Sequence, residues 1–417
     1  MEKWEQQLSK QVNVALPEHV DRRIQLTLDQ LKRTRKRSSK LRYGITAIAA
    51  SLLLTVGLSS LSPSFAAAMK SLPLIGSVFE LVGDVGVKRG SQLHLTANVG
   101  QQVRIGDQLV TFTESLYDGS NINLGLLVTD NNADLWAFSH DMTYAVDGEA
   151  LEYGVDFNLE KLGDGTYAGT LSITPDAQLP DSFVLGILSL DRTKTIAEIP
   201  VERKGGSLAS YAISQTRKWN NIEVNYEAVT SFPTATELTF QLRNTDAVFW
   251  AFQVYDEQNR VLEPLNSHGQ GVGKEKEYKF YFEPLGSVPQ QLTIKPYLSS
   301  ADSTTKWLDA WNGTPVTLSQ GKAGALTILD EKRGNDQITL TYEVSGARIF
   351  DQVHHIWLED GKGNRYDKEN GTIRREDGNR YQVTFSNISD VDALYVCTYQ
   401  LNVHYLKELE VTVDLTK

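Results

Sequence analysis

Two residues of the chain have the spacing of a known acyl-transfer pair. Ser303 and Lys306 form a Ser-x-x-Lys pattern, in which a serine nucleophile attacks a carbonyl group. The companion Lys-Thr-Gly and Ser-Asp-Asn triplets of such enzymes are missing from the sequence. Because a two-residue pattern is common, chance explains the match better than catalysis.

A second pattern suggests phosphate binding. The stretch HGQGVGK, which ends at Lys274, has the glycine content of a phosphate-binding loop. It lacks the first glycine of that motif, and Glu275 stands where Ser or Thr is required. We therefore interpret this stretch as a polar hairpin connection.

Metal-ligating residue types are present but poorly spaced. His354 and His355 are adjacent, so in a strand their side chains would point to opposite faces. The oxygen-rich stretches 130–134 and 360–367 do not have EF-hand spacing, and turn formation explains both. Cys397 is the single cysteine, which excludes an intrachain disulfide and a cysteine-based zinc site. The sequence therefore predicts no metal, no cofactor and no enzymatic activity.

Charge divides the chain into two unequal parts. Residues 1–42 contain eleven Lys and Arg but five Asp and Glu, whereas the remainder contains 30 basic and 47 acidic residues. Such asymmetry indicates two compartments or two partners. Direct binding of nucleic acid by the large acidic part is not expected, because affinity for phosphates requires positive charge.

A stretch without charge, residues 43–69, follows the basic part. About 20 apolar residues of helix cross a bilayer, so its length predicts a transmembrane helix. Positive charge on its N-terminal side predicts that the N-terminus is cytoplasmic and the C-terminus extracellular. The alternative is a signal peptide cleaved after the alanines at 66–68. The long leader favours an uncleaved anchor, because ordinary signal peptides have a short basic leader.

The leader, residues 1–42, shows helical periodicity. An apolar stripe at spacings of three and four is formed by Val20, Ile24, Leu28 and Leu31. Amphipathic helices without a core of their own need a surface, which is either the membrane or a soluble cytoplasmic protein. The basic residues before the span are predicted to set topology and contact lipid headgroups; they are Lys32, Arg33, Arg35, Lys36, Arg37, Lys40 and Arg42.

The leader, the apolar stretch and the string from Phe65 to Glu80 together resemble a family of Gram-positive membrane proteins, domain of unknown function 4179. The resemblance covers roughly the first quarter of the chain. It implies an anti-sigma-factor-like protein that holds an extracytoplasmic-function sigma factor at the membrane. Many anti-sigma factors bind zinc through a histidine and two cysteines. The leader has His19 and no cysteine, which excludes that version.

Alternating strands separated by Asp-Gly turns follow from about residue 92, and they predict a mainly β region. The region contains an internal repeat with a period just above 100 residues. Its markers are Trp136, Trp250 and Trp357, and Tyr167, Tyr278 and Tyr381. This period predicts tandem immunoglobulin-like β-sandwiches over 85–205, 206–320 and 321–417. Residues 70–84 are expected to form a short amphipathic helix, at the outer membrane interface or packed on the first sandwich.

The repeated tryptophans are interpreted as core residues rather than ligand-stacking ones, whereas Trp307 and Trp311 are expected to be exposed. Three functions remain open. The first is a single-pass signal-transduction protein with a cytoplasmic sigma factor and an envelope or cell-wall ligand as partners. The second is a surface adhesion or wall-binding protein without a transcriptional role. The third, a secreted enzyme, has no catalytic residues to support it.

Overall fold

The structure is a computed structural model and describes residues 77–416 except 106–107, 130–141, 164, 244–249, 272–274, 287, 300–304, 312–314, 335, 369–372 and 389–393. Within these residues, no helix has the length and apolarity needed to cross a membrane. The predicted span, 43–69, and the leader, 1–42, lie outside the described residues. Three short helices are described: α1 (Val78–Val82), α2 (Val85–Gln92) and α3 (Ile349–Gln352).

The first β-sandwich follows the helices α1 and α2. Its strands are β1 (Thr96–Ile105), β2 (Gln108–Tyr117), β3 (Ile122–Thr129), β4 (Met142–Val146), β5 (Glu149–Ala150), β6 (Tyr153–Gly163), β7 (Thr166–Pro175), β8 (Ser182–Ser189) and β9 (Thr195–Glu202). One sheet has the order β1-β2-β3-β7-β6 and the other β5-β4-β8-β9. Inward side chains of both sheets form one core, and every pairing is antiparallel.

The second sandwich has the same five-stranded arrangement, β10-β11-β12-β15-β14. Its strands are β10 (Ala209–Trp219), β11 (Ile222–Ser231), β12 (Thr236–Arg243), β13 (Trp250–Asp256), β14 (Pro264–Gln270), β15 (Glu275–Phe282) and β16 (Gln291–Ser299). Two further strands come from the end of the chain, β26 (Val403–Tyr405) and β27 (Val411–Asp414). Both pair with β16, and β16 pairs with β13 on its other side.

The third sandwich repeats the arrangement with sheets β18-β19-β20-β24-β23 and β17-β25-β21-β22. Its strands are β17 (Lys306–Ala310), β18 (Val316–Ser319), β19 (Gly324–Arg333), β20 (Gln337–Gly346), β21 (Trp357–Asp360), β22 (Arg365–Tyr366), β23 (Arg374–Asp377), β24 (Arg380–Ser386) and β25 (Leu394–Tyr399). Two 3-10 helices, Gly321–Ala323 and Lys407–Leu409, complete the described elements. The predicted mainly β fold is confirmed.

The last two sandwiches exchange their closing strands. In the first sandwich β9 follows β8 in the sequence and pairs with it. In the second, the corresponding place beside β16 is taken by β26 and β27, which follow β25. In the third, the place beside β25 is taken by β17, which follows β16. The predicted bounds 206–320 and 321–417 give each sandwich one continuous stretch of chain. In the structure β17 belongs to the third sandwich, and β26 and β27 belong to the second, so each sandwich takes strands from the other stretch.

Side-chain packing shows why the end of the chain leaves the third sandwich. The core of the second sandwich includes five residues from the C-terminal segment: Leu406, Leu409, Val411, Val413 and Leu415. In β27 the valines are buried and alternate with exposed Thr412 and Asp414, so one face of this strand is apolar. The buried Tyr226 hydroxyl donates to the Leu409 carbonyl at 2.8 Å and fixes the segment in place.

Further contacts join the second and third sandwiches. The guanidinium of Arg375, on β23, lies 3.2 Å from Glu283 and 3.5 Å from Glu263 of the second sandwich. It also stacks 5.2 Å from the ring centre of Phe350. Val261 of the second sandwich packs into the core of the third. These two sandwiches are therefore tied by ion pairs, by packing and by the exchanged strands.

Because the C-terminal segment completes the core of the second sandwich, a cavity created in that segment should destabilise the second sandwich rather than the third. Replacing the fully buried Leu409 with alanine should cost roughly 2–5 kcal/mol. Hydrogen exchange should then accelerate in β10–β16 while β18–β25 stay protected. Thr412→Ala, an exposed change on the neighbouring strand, serves as the control. Loss of protection confined to the third sandwich would contradict the exchange.

Candidate functional site

The residues predicted to contact partners lie outside the described residues. These are the apolar stripe Val20, Ile24, Leu28 and Leu31, and the basic residues from Lys32 to Arg42. The structure therefore leaves the predicted docking face and the predicted headgroup contacts as predictions. It does describe residues 77–92, which follow the apolar stretch and contact both the first and the second sandwich.

Helix α1 packs on the outer face of the first sandwich. Val78 and Val82 contact Leu127 and Ala168, which point away from the sandwich core. This explains why β3, INLGLLVT, is apolar on both faces: Leu124 and Leu126 fill the core while Leu127 lies under the helix. The expectation that this segment packs on the first sandwich is confirmed for residues 77–82.

A buried carboxylate receives the start of α1. Glu114, on β2, is 5% exposed and accepts hydrogen bonds from the Phe79 amide at 3.1 Å and the Ser77 hydroxyl at 2.8 Å. Burial raises the pKa of Glu114, although these hydrogen bonds oppose the shift. The sandwich thus supplies a partner for the Phe79 amide, which has none within the helix, while the Glu80 amide donates to the Ser77 hydroxyl.

Helix α2 approaches the second sandwich closely. Asp84 caps its N-terminus by accepting from the Val87 amide at 2.9 Å. A Cβ atom on Gly86 would lie 2.3 Å from the Thr234 carbonyl oxygen, and one on Gly90 would lie 2.1 Å from Leu116. Only glycine permits this approach at position 86, because the obstacle is backbone that cannot rotate away.

The connection between β11 and β12 reaches across to the first sandwich. The Thr234 amide and hydroxyl donate to one oxygen of Asp118, at 3.0 and 2.7 Å. The amide and hydroxyl of Ser120 donate to its other oxygen, at 3.1 and 2.6 Å. Asp118 is fully buried, and a buried carboxylate is tolerated only when donors compensate for lost water.

A further contact ties α2 to the second sandwich. Arg89 donates to the Leu285 carbonyl at 3.0 Å. We name the helices α1 and α2 with Glu114, Asp118 and Thr234 the helical junction. Its contacts hold both helices against the first two sandwiches.

Two further residues that the sequence analysis considered, Asp360 and Cys397, have structural roles. Asp360 accepts from the Lys362 and Asn364 amides at 2.8 Å each, as the turn interpretation predicted. Cys397 is fully buried, and burial raises its pKa to about 12, which opposes thiolate formation. Among the described residues, no group of three or more His, Cys, Asp or Glu is placed to hold a metal ion.

The predictions for tryptophan have mixed outcomes. Trp357 is 1% exposed, as expected for a core residue, and Trp307 is 42% exposed, as expected. The expected exposure of Trp311 is wrong: it packs in the core of the third sandwich at 9% exposure. Trp136 and the side chain of Trp250 lie outside the described residues.

Sequence reasoning did not find the residues of the helical junction. Asp118-Gly119 is a hairpin signal, and it does connect β2 to β3, but the carboxylate also binds Thr234. The spacing Gly86-x-x-x-Gly90 on a helix is a signal for close packing that could have identified α2. Nothing in the sequence indicates that Thr234 is its neighbour.

Two family models match parts of the chain. Residues 36–130 match Domain of unknown function (DUF4179). Residues 209–328 match Family of unknown function (DUF5643), which covers most of the second sandwich. No curated protein matches the chain.

Solved structures resemble the chain only weakly. A conserved domain protein from Bacillus anthracis has 16% identity and a TM-score of 0.41, covering 58% of this chain and 91% of that one. The Escherichia coli adhesin FdeC has 11% identity and a TM-score of 0.15, with coverages of 72% and 93%. A titin fragment of three Ig domains has 9% identity and a TM-score of 0.13, with coverages of 69% and 90%.

A methyl group at position 86 should separate α2 from the second sandwich. In Gly86→Ala the new Cβ would overlap the Thr234 carbonyl, so hydrogen exchange in residues 85–92 should accelerate about tenfold or more, equivalent to about 1.4 kcal/mol. Gly286→Ala is the matched control, because a Cβ there meets nothing within 4 Å. Equal exchange in both variants would mean that the close approach does not hold the helix.

Glu114 should give the protein a specific dependence on pH. Because folding raises its pKa above the ordinary 4.5, the folded state binds its proton more tightly, and stability from this group falls as pH rises through the raised pKa. Glu114→Gln has no such carboxyl group and should not show this decline. The free energy of unfolding of the wild type, minus that of the variant, should therefore decrease as pH rises above 4.5. The exposed Glu149→Gln is the control. Parallel wild-type and Glu114→Gln profiles would refute this.

Proposed function

The chain carries the DUF4179 domain over residues 36–130, and from that premise we propose that it is a single-pass, anti-sigma-factor-like regulator of a Gram-positive membrane. The leader, 1–42, binds a cytoplasmic sigma factor through Val20, Ile24, Leu28 and Leu31. Residues 43–69 cross the membrane. The three sandwiches, immunoglobulin-like in this proposal, lie outside and sense or bind an envelope component.

One observation carries the proposal: the segment that follows the apolar stretch is attached to two sandwiches at once. Glu114 holds the start of α1 on the first sandwich, at 3.1 Å from the Phe79 amide. Thr234 and Leu285 of the second sandwich contact α2. A displacement of either sandwich must therefore move or release these helices, which is what transmission toward a membrane span requires.

The attachment suits a switch better than a passive stalk. A stalk needs only a tether, whereas α1 and α2 are fixed by a buried carboxylate and a glycine-dependent contact. Both contacts are short-range, so a small rearrangement breaks them completely rather than gradually. In this proposal the chain catalyses no reaction and binds no cofactor. It acts by holding or releasing the cytoplasmic sigma factor.

An alternative is a cell-surface binding protein without a transcriptional role. Its support is the strand β17, whose five residues are all exposed. Trp307 and Leu308 are 42% and 45% exposed, and Trp is a residue type enriched at binding interfaces. Under this alternative the leader would serve only as a topology signal.

The regulator is tested with the full-length chain in its native membrane. Alanine at Val20, Ile24, Leu28 and Leu31 together should lower the amount of co-purified sigma factor at least tenfold, about 1.4 kcal/mol, and should raise transcription from its target promoters. Asp29→Ala, on the opposite face of the predicted helix, should change neither.

The outcome separates the two functions. The regulator would be contradicted if the wild-type chain co-purified no sigma factor and if the variant with four alanines in the apolar stripe left transcription from the target promoters unchanged. Binding of isolated wall polymers that is lost in Trp307→Ala, with unchanged transcription on deletion of the protein, would support the surface-binding alternative.

A further inference from the structure

The strand β17 lies at the outer edge of its sheet in the third sandwich. It pairs with β25 and, among the described strands, with no other. All five of its residues, Lys306–Ala310, are exposed. An outer strand presents a row of amide and carbonyl groups that can pair with one more strand.

The hydrogen bonds at both ends of β17 show which of its backbone groups point outward. The Thr305 carbonyl accepts from the Gln400 amide at 2.9 Å. The Trp311 amide donates to the Leu394 carbonyl at 3.0 Å. Because bonded and non-bonded positions alternate along an antiparallel pair, the second and fourth residues of β17 also face β25. The residues whose backbone groups point away from the sheet are Lys306, Leu308 and Ala310.

One of these outward groups is satisfied by a neighbouring side chain. The Asp309 carboxylate accepts from the Ala310 amide at 2.8 Å. This hydrogen bond takes the place of one that a further strand would supply. The outward groups of Lys306 and Leu308 have no described strand beside them.

The equivalent edge of the first sandwich is protected against pairing. It is occupied by β9, whose exposed residues include Pro200, which has no amide hydrogen to donate. The exposed carboxylates of Glu198 and Glu202 flank this proline. Proline and charge on an outer strand prevent the addition of another strand.

The equivalent edge of the second sandwich is also protected. There β27 exposes Asp414, and the Glu410 carbonyl just before the strand accepts from the Arg217 Nε atom at 3.4 Å. In contrast, β17 contains no proline, and it exposes the apolar side chains of Trp307 and Leu308. Of the three equivalent edges, β17 is therefore the one suited to pairing.

We propose that β17 pairs in antiparallel fashion with β17 of a second copy of the chain, with the two-fold axis at Leu308. In this register all five residues have a partner. Leu308 faces Leu308 of the second copy, and Lys306 faces Ala310. Trp307 faces Asp309 in the same way. The outward-directed residues then face one another, as bonded pairs require, and the two sheets become continuous.

The side chains of β17 are complementary to themselves, which favours a second copy as the partner. The strand carries one positive and one negative charge, Lys306 and Asp309, and in this register neither faces a like charge. A shift of the axis to Asp309 would place two carboxylates opposite each other.

The interface is small, because it consists of five residue pairs. Small interfaces are characteristic of weak and transient association. Cross-linking at the axis is therefore a more suitable measurement than the mass of the purified chain. The pairing uses no residue of the leader and holds whether or not the leader binds a sigma factor.

Cysteine cross-linking of the full-length chain, in the cells that produce it, tests the pairing. In Leu308→Cys the Cα atoms of the two copies would lie about 5.5 Å apart, a distance that a disulfide spans. With glutathione disulfide as the oxidant, this variant should give at least tenfold more covalent dimer than Leu190→Cys, a change of an exposed leucine in the first sandwich. Ala310→Cys should also give little dimer, because its two copies would lie roughly 14 Å apart.

A mixture of two variants tests the register independently. Chains with Lys306→Cys and chains with Ala310→Cys should cross-link to each other when produced together, because these two positions face each other across the axis. Each variant alone should not. Cys397 is fully buried, so one reactive thiol per chain shows that a variant is folded, and two show that it is not.

Three outcomes would overturn the proposal. Equal amounts of dimer from Leu308→Cys, Ala310→Cys and Leu190→Cys would indicate random collision. Absence of a cross-link in the mixture of the Lys306→Cys and Ala310→Cys chains would refute the register. A cross-link from Leu308→Cys to a different protein would mean that this edge receives the strand of another partner.

Discussion

The described part of the molecule depends on one buried carboxylate, that of Asp118. Its oxygens accept two hydrogen bonds from Ser120 within the first sandwich and two from Thr234 of the second. Removing a carboxylate from water is costly, and four donors compensate only while both loops keep their positions. The contact therefore has two states, made or broken. Thr234, which donates to Asp118, is also the residue that α2 approaches at Gly86, and Gly205, in the connector between β9 and β10, lies beside Asp118.

The exchanged strands extend this constraint to the end of the chain. The core of the second sandwich is completed by Leu406, Leu409, Val411, Val413 and Leu415, which the chain reaches only after building the third sandwich. The third sandwich is in turn closed by β17, which precedes it. Removing the third sandwich together with the end of the chain would expose the core of the second, and removing the second would take Val261 from the core of the third. A ligand or force acting on the third sandwich is consequently felt in the second, which contacts α2.

These contacts are the physical basis of the proposed regulation. Transmission requires a path of contacts that are specific and breakable, and the helical junction supplies them through Glu114, Thr234 and Gly86. The contact between His268 and Asp176 adds a further polar link between the first and second sandwiches. Hydrophobic packing holds each sandwich together, whereas polar and charged contacts join the first sandwich to the second. The interior of each sandwich can thus stay intact while the arrangement of sandwiches changes.

The sequence by itself determined the class of the fold, because strand periodicity and Asp-Gly turns are local properties. It indicated three modules, because the Trp and Tyr markers recur with the length of one sandwich, and its resemblance to DUF4179 agrees with the family model that matches residues 36–130. For residues 70–84 it left two places open, the outer membrane interface and the first sandwich, and the structure shows α1 packed on the first sandwich. It did not reveal the helical junction, since Glu114, Asp118 and Thr234 are polar residues whose partners are distant in the chain. Only the tertiary structure decided that β17 and β26–β27 change places: an apolar face specifies that a strand must be buried, but not which of two similar sheets buries it.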